Sequence, residues 1–347
     1  MPDETATRAT ATPGDSAMPD ELDAIQSVAD DVVHQPSHPA PDPNDAHGSV
    51  YDGLLGGDPS HWAFGTDFED PLAGVDTTIP DGVDAADLGA YCLMLADDAL
   101  IASQRLSEWT SRAPDLEDDI ALSNIALDLL GQARLLLARA AAADPALVPP
   151  LPEGSPVPPE DALAFFRDPG EFRNVRLVEL DNGDFAVTIV KLLLFASARI
   201  AVFEQLVDSR DHVLSAVAAK GVKELTYHRD YAGRWFLTLA RGTEESRRRI
   251  DAALRQVWPL QAELFVTHDV EASVAAAGVG VDPATVADAV AVVLAQVFAL
   301  SGVEQPEVAP MAAVQGRQGR DGMHTEALSR ILGELQVVAR AHPMGRW

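Results

Sequence analysis

Apolar residues recur at helical spacing along most of the chain after residue 87. Spacings of three and four residues place them on one face of a helix, and no sustained strand alternation occurs. The pattern predicts helices, in chain order, over 87–110, 114–142, 160–167, 184–208, 211–240, 244–266, 282–300 and 324–341. Residues 175–179 read as a short strand or a loop, and 303–322 as a loop rich in Gly and Pro. The fold class is therefore all-α, a bundle of long helices with additional C-terminal helices.

The first 86 residues have a different composition. They hold 18 acidic residues against the single base Arg8, a net charge of −17, which leaves −12 of the total −29 for residues 87–347. They are rich in Pro, Gly, Asp and Thr and show little periodic apolar patterning. Such a segment buries too little apolar surface to offset the entropy of ordering. We expect a disordered acidic extension over 1–86 and one helical domain over 87–347.

The charge and cysteine content exclude several classes of function. A chain of net charge −29 and pI near 4.4 lacks the clustered Lys and Arg of a nucleic-acid binder, and an anionic membrane surface would repel it. No uninterrupted apolar run reaches about 18 residues, and the N-terminus lacks a basic region followed by an apolar stretch. The single Cys92 cannot form an internal disulfide. We expect a cytoplasmic protein that binds neither nucleic acid nor membrane.

Polar residues form an ordered stripe on the most apolar helix, 114–142. Asn124, Asp128 and Gln132 recur at i, i+4 and i+8, so their side chains line one face. The rest of this helix is apolar nearly all round, as expected for a helix buried on most sides. The stripe is therefore a candidate for a polar site inside the bundle.

Acidic residues and a histidine on other helices could meet that stripe. Asp98 lies on the apolar face of the first helix, and Glu224 and His228 are four residues apart on 211–240. Carboxylates and histidine projecting from several long helices are the ligands of a carboxylate-bridged di-iron site. Such sites take a Glu-x-x-His pair from each of two helices, and that pattern is absent from 87–347. An intact metal site, as in an independent di-iron oxidase or oxygenase, is one interpretation.

Buried cations are the alternative to a metal. Lys191 and Arg199 interrupt the apolar helix 184–208. Buried carboxylates without metal need positive partners, because an unpaired charge in a core costs several kcal/mol. The sequence thus predicts a buried polar network of Asp98, Asn124, Asp128, Lys191, Arg199 and Glu224. In a third interpretation the cations extend to the surface and the acids are exposed.

Six separated motifs resemble one known family. They are YCLMLADDALIASQRLSEW (91–109), APDLEDDIALSNIALDLLGQAR (113–134), EFRNVRLVELDNGDFA (171–186), KELTYH (223–228), GTEES (242–246) and GMHTEALSRILGELQ (322–336). Together they resemble the family of C-type subunits of phenylacetyl-coenzyme A 1,2-epoxidases, over about 87–347. The resemblance implies a ferritin-like bundle that pairs with a homologous catalytic subunit of the A type.

The resemblance also assigns the chemistry to the complex. The catalytic subunit carries the di-iron centre and binds the acyl-coenzyme A, and a flavin and iron–sulfur reductase supplies electrons for epoxidation of the aromatic ring with dioxygen. Further epoxidase subunits complete the assembly. The C-type subunit is the structural partner, so the resemblance implies no cofactor in this chain. A helical binding or scaffold protein of other purpose is a further hypothesis, which association with the catalytic subunit would exclude.

Alignment with the catalytic subunit's motifs indicates lost ligands. KELTYH beside Lys-Glu-Glu-x-x-His puts His228 at the histidine position and Leu225 at the metal-binding glutamate. DLLGQ beside Asp-Glu-x-Gly-His puts Leu129 at the glutamate and Gln132 at the histidine. Leucine cannot ligate a metal, and a neutral amide oxygen is a poor substitute for imidazole on iron. The resemblance therefore implies a degenerate di-iron site at Leu129, Gln132, Leu225 and His228, with no catalytic residue in this chain.

Overall fold

A computed structural model describes residues 74–311 and 313–345. Most of the predicted disordered extension, residues 1–73, lies outside that description, so its state stays a prediction. Residues 74–86 are described, and Val75, Ile79 and Val83 pack against the helical core. The packed unit thus includes residues that precede the predicted boundary at 87.

The described residues contain nine α-helices and no sheet. They are α1 (Ala85–Ser107), α2 (Leu116–Ala143), α3 (Pro159–Phe165), α4 (Phe185–Leu206), α5 (His212–Arg241), α6 (Glu244–Val257), α7 (Asp269–Ala276), α8 (Ala287–Ser301) and α9 (Glu326–Ala341). Aspartates cap four of the long helices, where the side chain accepts from a backbone N–H of the first turn: Asp84, Asp115, Asp184 and Asp211. The all-α prediction is confirmed.

Four long helices form the core as two hairpins, α1 with α2 and α4 with α5. The hydroxyl of Ser103 on α1 donates to the carbonyl of Ala126 on α2 at 2.6 Å. The rings of Phe185, at the start of α4, and Trp235, near the end of α5, meet edge to face at 5.0 Å, as an antiparallel pair requires. Helices α2 and α4 are joined by the long connection 144–184. One long crossover between two hairpins is the ferritin-like connection, which confirms that prediction.

Irregular structure in the crossover and after α6 differs from the sequence predictions. Residues 175–179 read in the sequence as a short strand or part of a loop, and Arg176–Glu179 form a short 3-10 helix within the crossover. Helix α6 ends at Val257 instead of continuing to 266, because Pro259 has no N–H to donate, and Trp258–Phe265 is 3-10 helix. The apolar periodicity does not predict helix α7, because its eight residues are too few to show a helical pattern.

Three helical stretches are long and apolar enough, by length and composition alone, to cross a membrane: Leu116–Ala143, Phe185–Leu206 and Pro283–Ser301. In each stretch an 18-residue segment is apolar enough to span a bilayer, and 83% of this segment is buried inside the bundle in α4. The buried share is 44% in Leu116–Ala143 and 28% in Pro283–Ser301. Burial in the core accounts for the composition of α4, whereas α2 and α8 keep apolar residues on the surface.

Candidate functional site

Helices α2 and α5 run antiparallel and share a polar seam, which we define as Asp128 and Gln132 of α2 with Glu224 and His228 of α5. Asp128 meets His228, and Gln132 meets Glu224. The spacing of four residues on each helix gives this double pairing, because i and i+4 lie on one face. The structure thus brings together the acids, amide and histidine that the sequence placed on these two helices.

The two leucines at predicted ligand positions are both fully enclosed. Leu129 and Leu225 have no exposed surface, and both belong to the hydrophobic core. They follow the seam residues Asp128 and Glu224 directly in sequence. The core next to the seam is therefore hydrocarbon at the two positions where the resemblance predicts altered carboxylate ligands.

A guanidinium from α4 reaches the seam. The Nε atom of Arg199 donates to Oε1 of Gln132 at 3.0 Å, and Nε2 of Gln132 donates to Oε2 of Glu224 at 2.8 Å. The Nη1 atom of Arg199 donates to the carbonyl of Leu95, and the guanidinium lies over the ring of Phe203, 4.4 Å from its centroid. Burial lowers the pKa of Arg199 to about 10, a cost that the nearby carboxylates of Asp98 and Glu224 partly offset. The amide of Gln132 thus links Arg199 to Glu224, two residues that the sequence predicts as members of one buried network.

A histidine–carboxylate pair occupies the other half of the seam. The Nε2 atom of His228 lies 3.0 Å from Oδ2 of Asp128. The imidazole is 1% exposed, whereas the Asp128 side chain is 36% exposed. The Nδ1 atom of His228 is buried and has no hydrogen-bond partner among the described residues. The pair connects the bundle interior with the surface between α2 and α5.

Asp98 belongs to a different cluster, which corrects its predicted pairing with Lys191 or Arg199. Its carboxylate accepts from Nη1 and Nη2 of Arg320 at 3.0 and 2.8 Å, and from the backbone N–H of Val175 at 2.8 Å. Arg320 also forms an ion pair with Glu271, at 3.6 Å. The sequence gives no signal for the pairing with Asp98, because Arg320 lies in the short 3-10 helix Gly319–Asp321, within a segment that has no apolar periodicity.

Lys191 is buried, as predicted, but it does not meet the predicted acids. Its Nζ donates to the carbonyl of Leu180 at 2.6 Å and to Oδ1 of Asn182 at 3.0 Å. Burial, and secondly the nearby charge of Arg105, lower the pKa of Lys191 to about 7. The prediction of an ion pair was wrong because the Asp-Asn-Gly turn supplies neutral acceptors instead.

Asn124 does not belong to any buried network, and that prediction is also wrong. The residue is exposed on the outer side of α2, one turn before Asp128. Helical spacing alone places residues i, i+4 and i+8 in line, but a 3.6-residue turn rotates that line around the helix. The stripe therefore starts on the surface at Asn124 and enters the bundle at Gln132.

Two buried acids were not identified from the sequence. Asp118 accepts from the hydroxyl of Tyr231 and the indole N–H of Trp235, both at 2.8 Å. Burial raises the pKa of Asp118, and these two hydrogen bonds oppose the shift. Asp97 forms a bidentate pair with Arg167. Asp118 lies in the first turn of α2, where acidic residues are usually exposed to solvent. The sequence pattern therefore did not predict its burial.

The residues of the seam do not fit a di-iron centre. Within the described ranges no three His, Cys, Asp or Glu side chains are grouped so as to hold a metal ion. The donor set offers one imidazole, the carboxylates of Asp128 and Glu224 and one amide, whereas two irons need a histidine and several carboxylate oxygens each. The cation of Arg199 is hydrogen-bonded to that amide, and its charge opposes a second cation nearby.

Fold and site together define a ferritin-like helical bundle whose interhelical seam is closed by side-chain hydrogen bonds. A family model described as "Phenylacetic acid catabolic protein" matches residues 76–347, and the chain belongs to this family. It is 39% identical over 261 residues to the C subunit of 1,2-phenylacetyl-CoA epoxidase from Escherichia coli (strain K12), and the alignment covers 75% of this chain and 99% of that relative. The resemblance found in the sequence motifs is confirmed.

Proposed function

We propose that this chain is the non-catalytic, structural subunit of a multicomponent epoxidase that acts on the ring of phenylacetyl-CoA in aerobic phenylacetate breakdown. The name of the Escherichia coli relative supports the substrate and the place in a complex, since 99% of that protein aligns with this chain. The family description supports phenylacetate catabolism.

The observation that supports a structural role is that leucine side chains and hydrogen-bonded polar groups occupy the interior at the seam. Leu129 and Leu225 are fully buried, and the motif resemblance aligns them with carboxylate ligands of a di-iron bundle. The hydrogen bonds of Arg199, Gln132 and Glu224 use the remaining polar groups to stabilise the bundle instead. A bundle with this interior would provide a rigid surface for other subunits to bind rather than a site for redox chemistry.

The proposal assigns the chemistry to partners. The catalytic, A-type subunit would hold the di-iron centre and the acyl-CoA, with further epoxidase subunits and a flavin and iron–sulfur reductase completing the enzyme. This chain would hold no cofactor and would work in the cytoplasm. Exposed apolar residues on α2, such as Ile120 at 54% and Leu127 at 63%, support a role in assembly, because such patches mark protein contacts.

An independent di-iron oxidase is the second candidate, and the pair of His228 and Asp128 favours it. Imidazole and carboxylate are iron ligands, and the two side chains lie on adjacent helices at 3.0 Å. A working site would still need at least two more carboxylates near them. The two candidates therefore differ in the iron content of this chain.

Iron per chain is the measurement that separates them. This protein and the catalytic partner would each be purified separately and then together, with metal analysis after size exclusion. We expect no stoichiometric iron in this protein by itself and about two irons per heteromeric pair in the complex. A His228→Gln variant should leave the iron content of the complex unchanged. About two irons in this protein by itself, lost in His228→Gln, would contradict the proposal and favour the oxidase.

A further inference from the structure

Helix α2 carries a run of apolar side chains on its outer face. Leu116, Ile120, Leu127 and Leu130 are 68%, 54%, 63% and 45% exposed. Single exposed apolar residues are normal on a protein surface, but four within four turns of one helix form a patch. Contact between this patch and water is unfavourable. Burial of the patch would therefore stabilise the complex with a partner that covers it.

The outer face of the neighbouring helix α5 is aromatic and basic. Lys223, Tyr227 and Arg234 lie at i, i+4 and i+11, and Tyr227 is 49% exposed. The exposed Asp230 lies on the same face at i+7, where it pairs with the neighbouring Arg229 at 3.7 Å. A rise of 1.5 Å per residue separates Lys223 and Arg234 by about 16 Å along the helix. Neither cation forms an ion pair with the described residues, although the whole chain carries a net charge of −29. Positive charge on this face is therefore available to an acidic partner.

Both faces belong to one surface because the seam joins them. Asp128 and His228 meet across α2 and α5, and the Asp128 side chain remains 36% exposed. The Asp128 end of the seam therefore lies at the surface between the two outer faces. We name this surface the α2–α5 face and define it by Ile120, Leu127, Leu130, Lys223, Tyr227 and Arg234.

We propose that the α2–α5 face docks a helical partner protein whose own surface carries an apolar stripe flanked by carboxylates. The inference rests on the proposed function, in that the partner to be tested is the catalytic subunit of the epoxidase. Carboxylates on the partner would meet Lys223 and Arg234, while Tyr227 and Leu127 bury their apolar surface between them. Tyrosine and arginine are enriched among the residues that carry most of the binding free energy at interfaces.

A second copy of this chain is the less favourable occupant. Two-fold pairing brings the same patch of both chains together. Such pairing would bring the four cations of two faces into one interface, and like charges across an interface cost free energy. The acids of the same face, Asp128 and Asp230, already pair with His228 and Arg229. An acidic surface on a different protein removes that repulsion, because its carboxylates pair with these cations.

The first test introduces a charge into the apolar part of the face. Leu127→Asp is compared with Val292→Asp on α8, where the wild-type side chain is exposed to a similar extent, 59%. The dissociation constant for the purified catalytic subunit is measured by biolayer interferometry. We expect Leu127→Asp to weaken binding by about 30-fold or more and Val292→Asp by less than about twofold. Both positions are exposed, so thermal unfolding curves should match the wild type.

The second test reverses the charges. The double variant Lys223→Glu with Arg234→Glu is compared with Arg248→Glu with Arg255→Glu on α6, which changes the net charge equally. We expect the first pair to slow association about tenfold at low salt and by less at high salt, because salt screens the repulsion that the reversed charges introduce. The control pair should retain the salt dependence of the wild type.

The outcomes separate this inference from the proposed function. A wild-type chain that does not bind the catalytic partner contradicts the proposed function and this inference with it. A wild-type chain that binds, with both face variants binding equally well, contradicts the docking surface alone. Self-association of the purified chain that Leu127→Asp abolishes would identify a second copy as the occupant and overturn the proposal.

Discussion

Two buried cations of this chain are held by partners of different kinds. Arg167 pairs with the carboxylate of Asp97, and both side chains are at most 2% exposed. Among the residues that the structure describes, Lys191 has only the carbonyl of Leu180 and the amide oxygen of Asn182 as acceptors. A neutral acceptor stabilises a buried ammonium less than a carboxylate does. The two sites should therefore respond differently to pH and to mutation.

Replacement of Lys191 by Met should remove a pH dependence of stability. The pKa of Lys191 is lowered to about 7 in the folded chain from an ordinary value of 10.5. Between these values the unfolded chain binds more protons, so the free energy of unfolding rises with pH. Below about pH 7 both states are protonated, and the cost of the buried ammonium opposes folding fully. The methionine of Lys191→Met carries no titrating group at this position, so the variant lacks this contribution to the pH dependence of stability.

Urea unfolding from about pH 6 to about pH 9 measures this difference. The wild type should gain stability relative to Lys191→Met across that range. Lys220→Met is the control, since the Lys220 side chain is half exposed, and its pH profile should parallel the wild type. Parallel profiles for Lys191→Met and the wild type would show that the buried amine does not titrate in this window.

Replacement of Asp97 by Asn should strand a buried charge. The guanidinium of Arg167 loses its counter-ion, and breaking one half of a buried pair costs about 3–5 kcal/mol. Asp181→Asn is the control, because Asp181 also binds an arginine, Arg105, but its side chain is 63% exposed. The control should cost less than about 1 kcal/mol. Equal losses of free energy of unfolding in the two variants would refute the buried-pair argument.

At the scale of elements, the close approach of α4 and α5 depends on Gly221. A β-carbon there would lie 2.7 Å from two ring atoms of Phe203, and the Arg199 guanidinium covers that ring. The Phe203 ring cannot move away without displacing Arg199, which is hydrogen-bonded to Gln132 of the seam. Gly221→Ala should therefore lower the free energy of unfolding by about 1–2 kcal/mol, even though alanine favours helix.

Gly233 on the same helix supplies the matched control. An added β-carbon there meets no atom within 4 Å. Gly233→Ala should raise the free energy of unfolding by about 0.5–1 kcal/mol through helix propensity alone. Chemical denaturation of both variants gives the comparison. A gain in stability for Gly221→Ala would show that the two helices move apart at low cost.

Helices were predictable from the sequence because apolar periodicity is a local property. The long helices α1, α2, α4 and α5 begin and end close to the predicted residues. Partners across the bundle were not predictable, because they depend on how the helices are aligned against each other. Periodicity placed Asp98 in the interior correctly, but Arg320, more than two hundred residues later, supplies its charge partner. Local patterns also missed Pro259 as the end of α6.

The candidate site was predictable only in part for the same reason. The resemblance predicts altered ligand positions at Leu129, Gln132, Leu225 and His228, and all four side chains are buried in the bundle. The sequence pattern favoured direct ion pairs, whereas an amide connects Arg199 to Glu224. An amide both donates and accepts, so it links a cation and an anion that do not touch.

At the scale of the whole molecule, charge and exposed apolar surface act in opposite directions. Helices α2 and α8 expose apolar side chains, which favours contact with protein or lipid. The net charge of −29 disfavours contact with anionic surfaces. A membrane-spanning α2 would also have to expose Asn124 and Asp128 to hydrocarbon, at a cost of several kcal/mol. A protein partner satisfies both the apolar and the polar residues of α2.

Vesicle flotation tests this conclusion. The full chain, by itself and with the catalytic partner, is mixed with vesicles of anionic or zwitterionic phospholipid and centrifuged in a density gradient. We expect the protein to remain in the dense fraction with both lipids, because repulsion excludes it from the anionic surface and no helix can expose its polar residues to lipid. Flotation of the chain by itself that Leu127→Asp or Val292→Asp abolishes would show that the exposed apolar faces contact lipid. Flotation lost on adding the catalytic partner would further show that protein and lipid compete for one face.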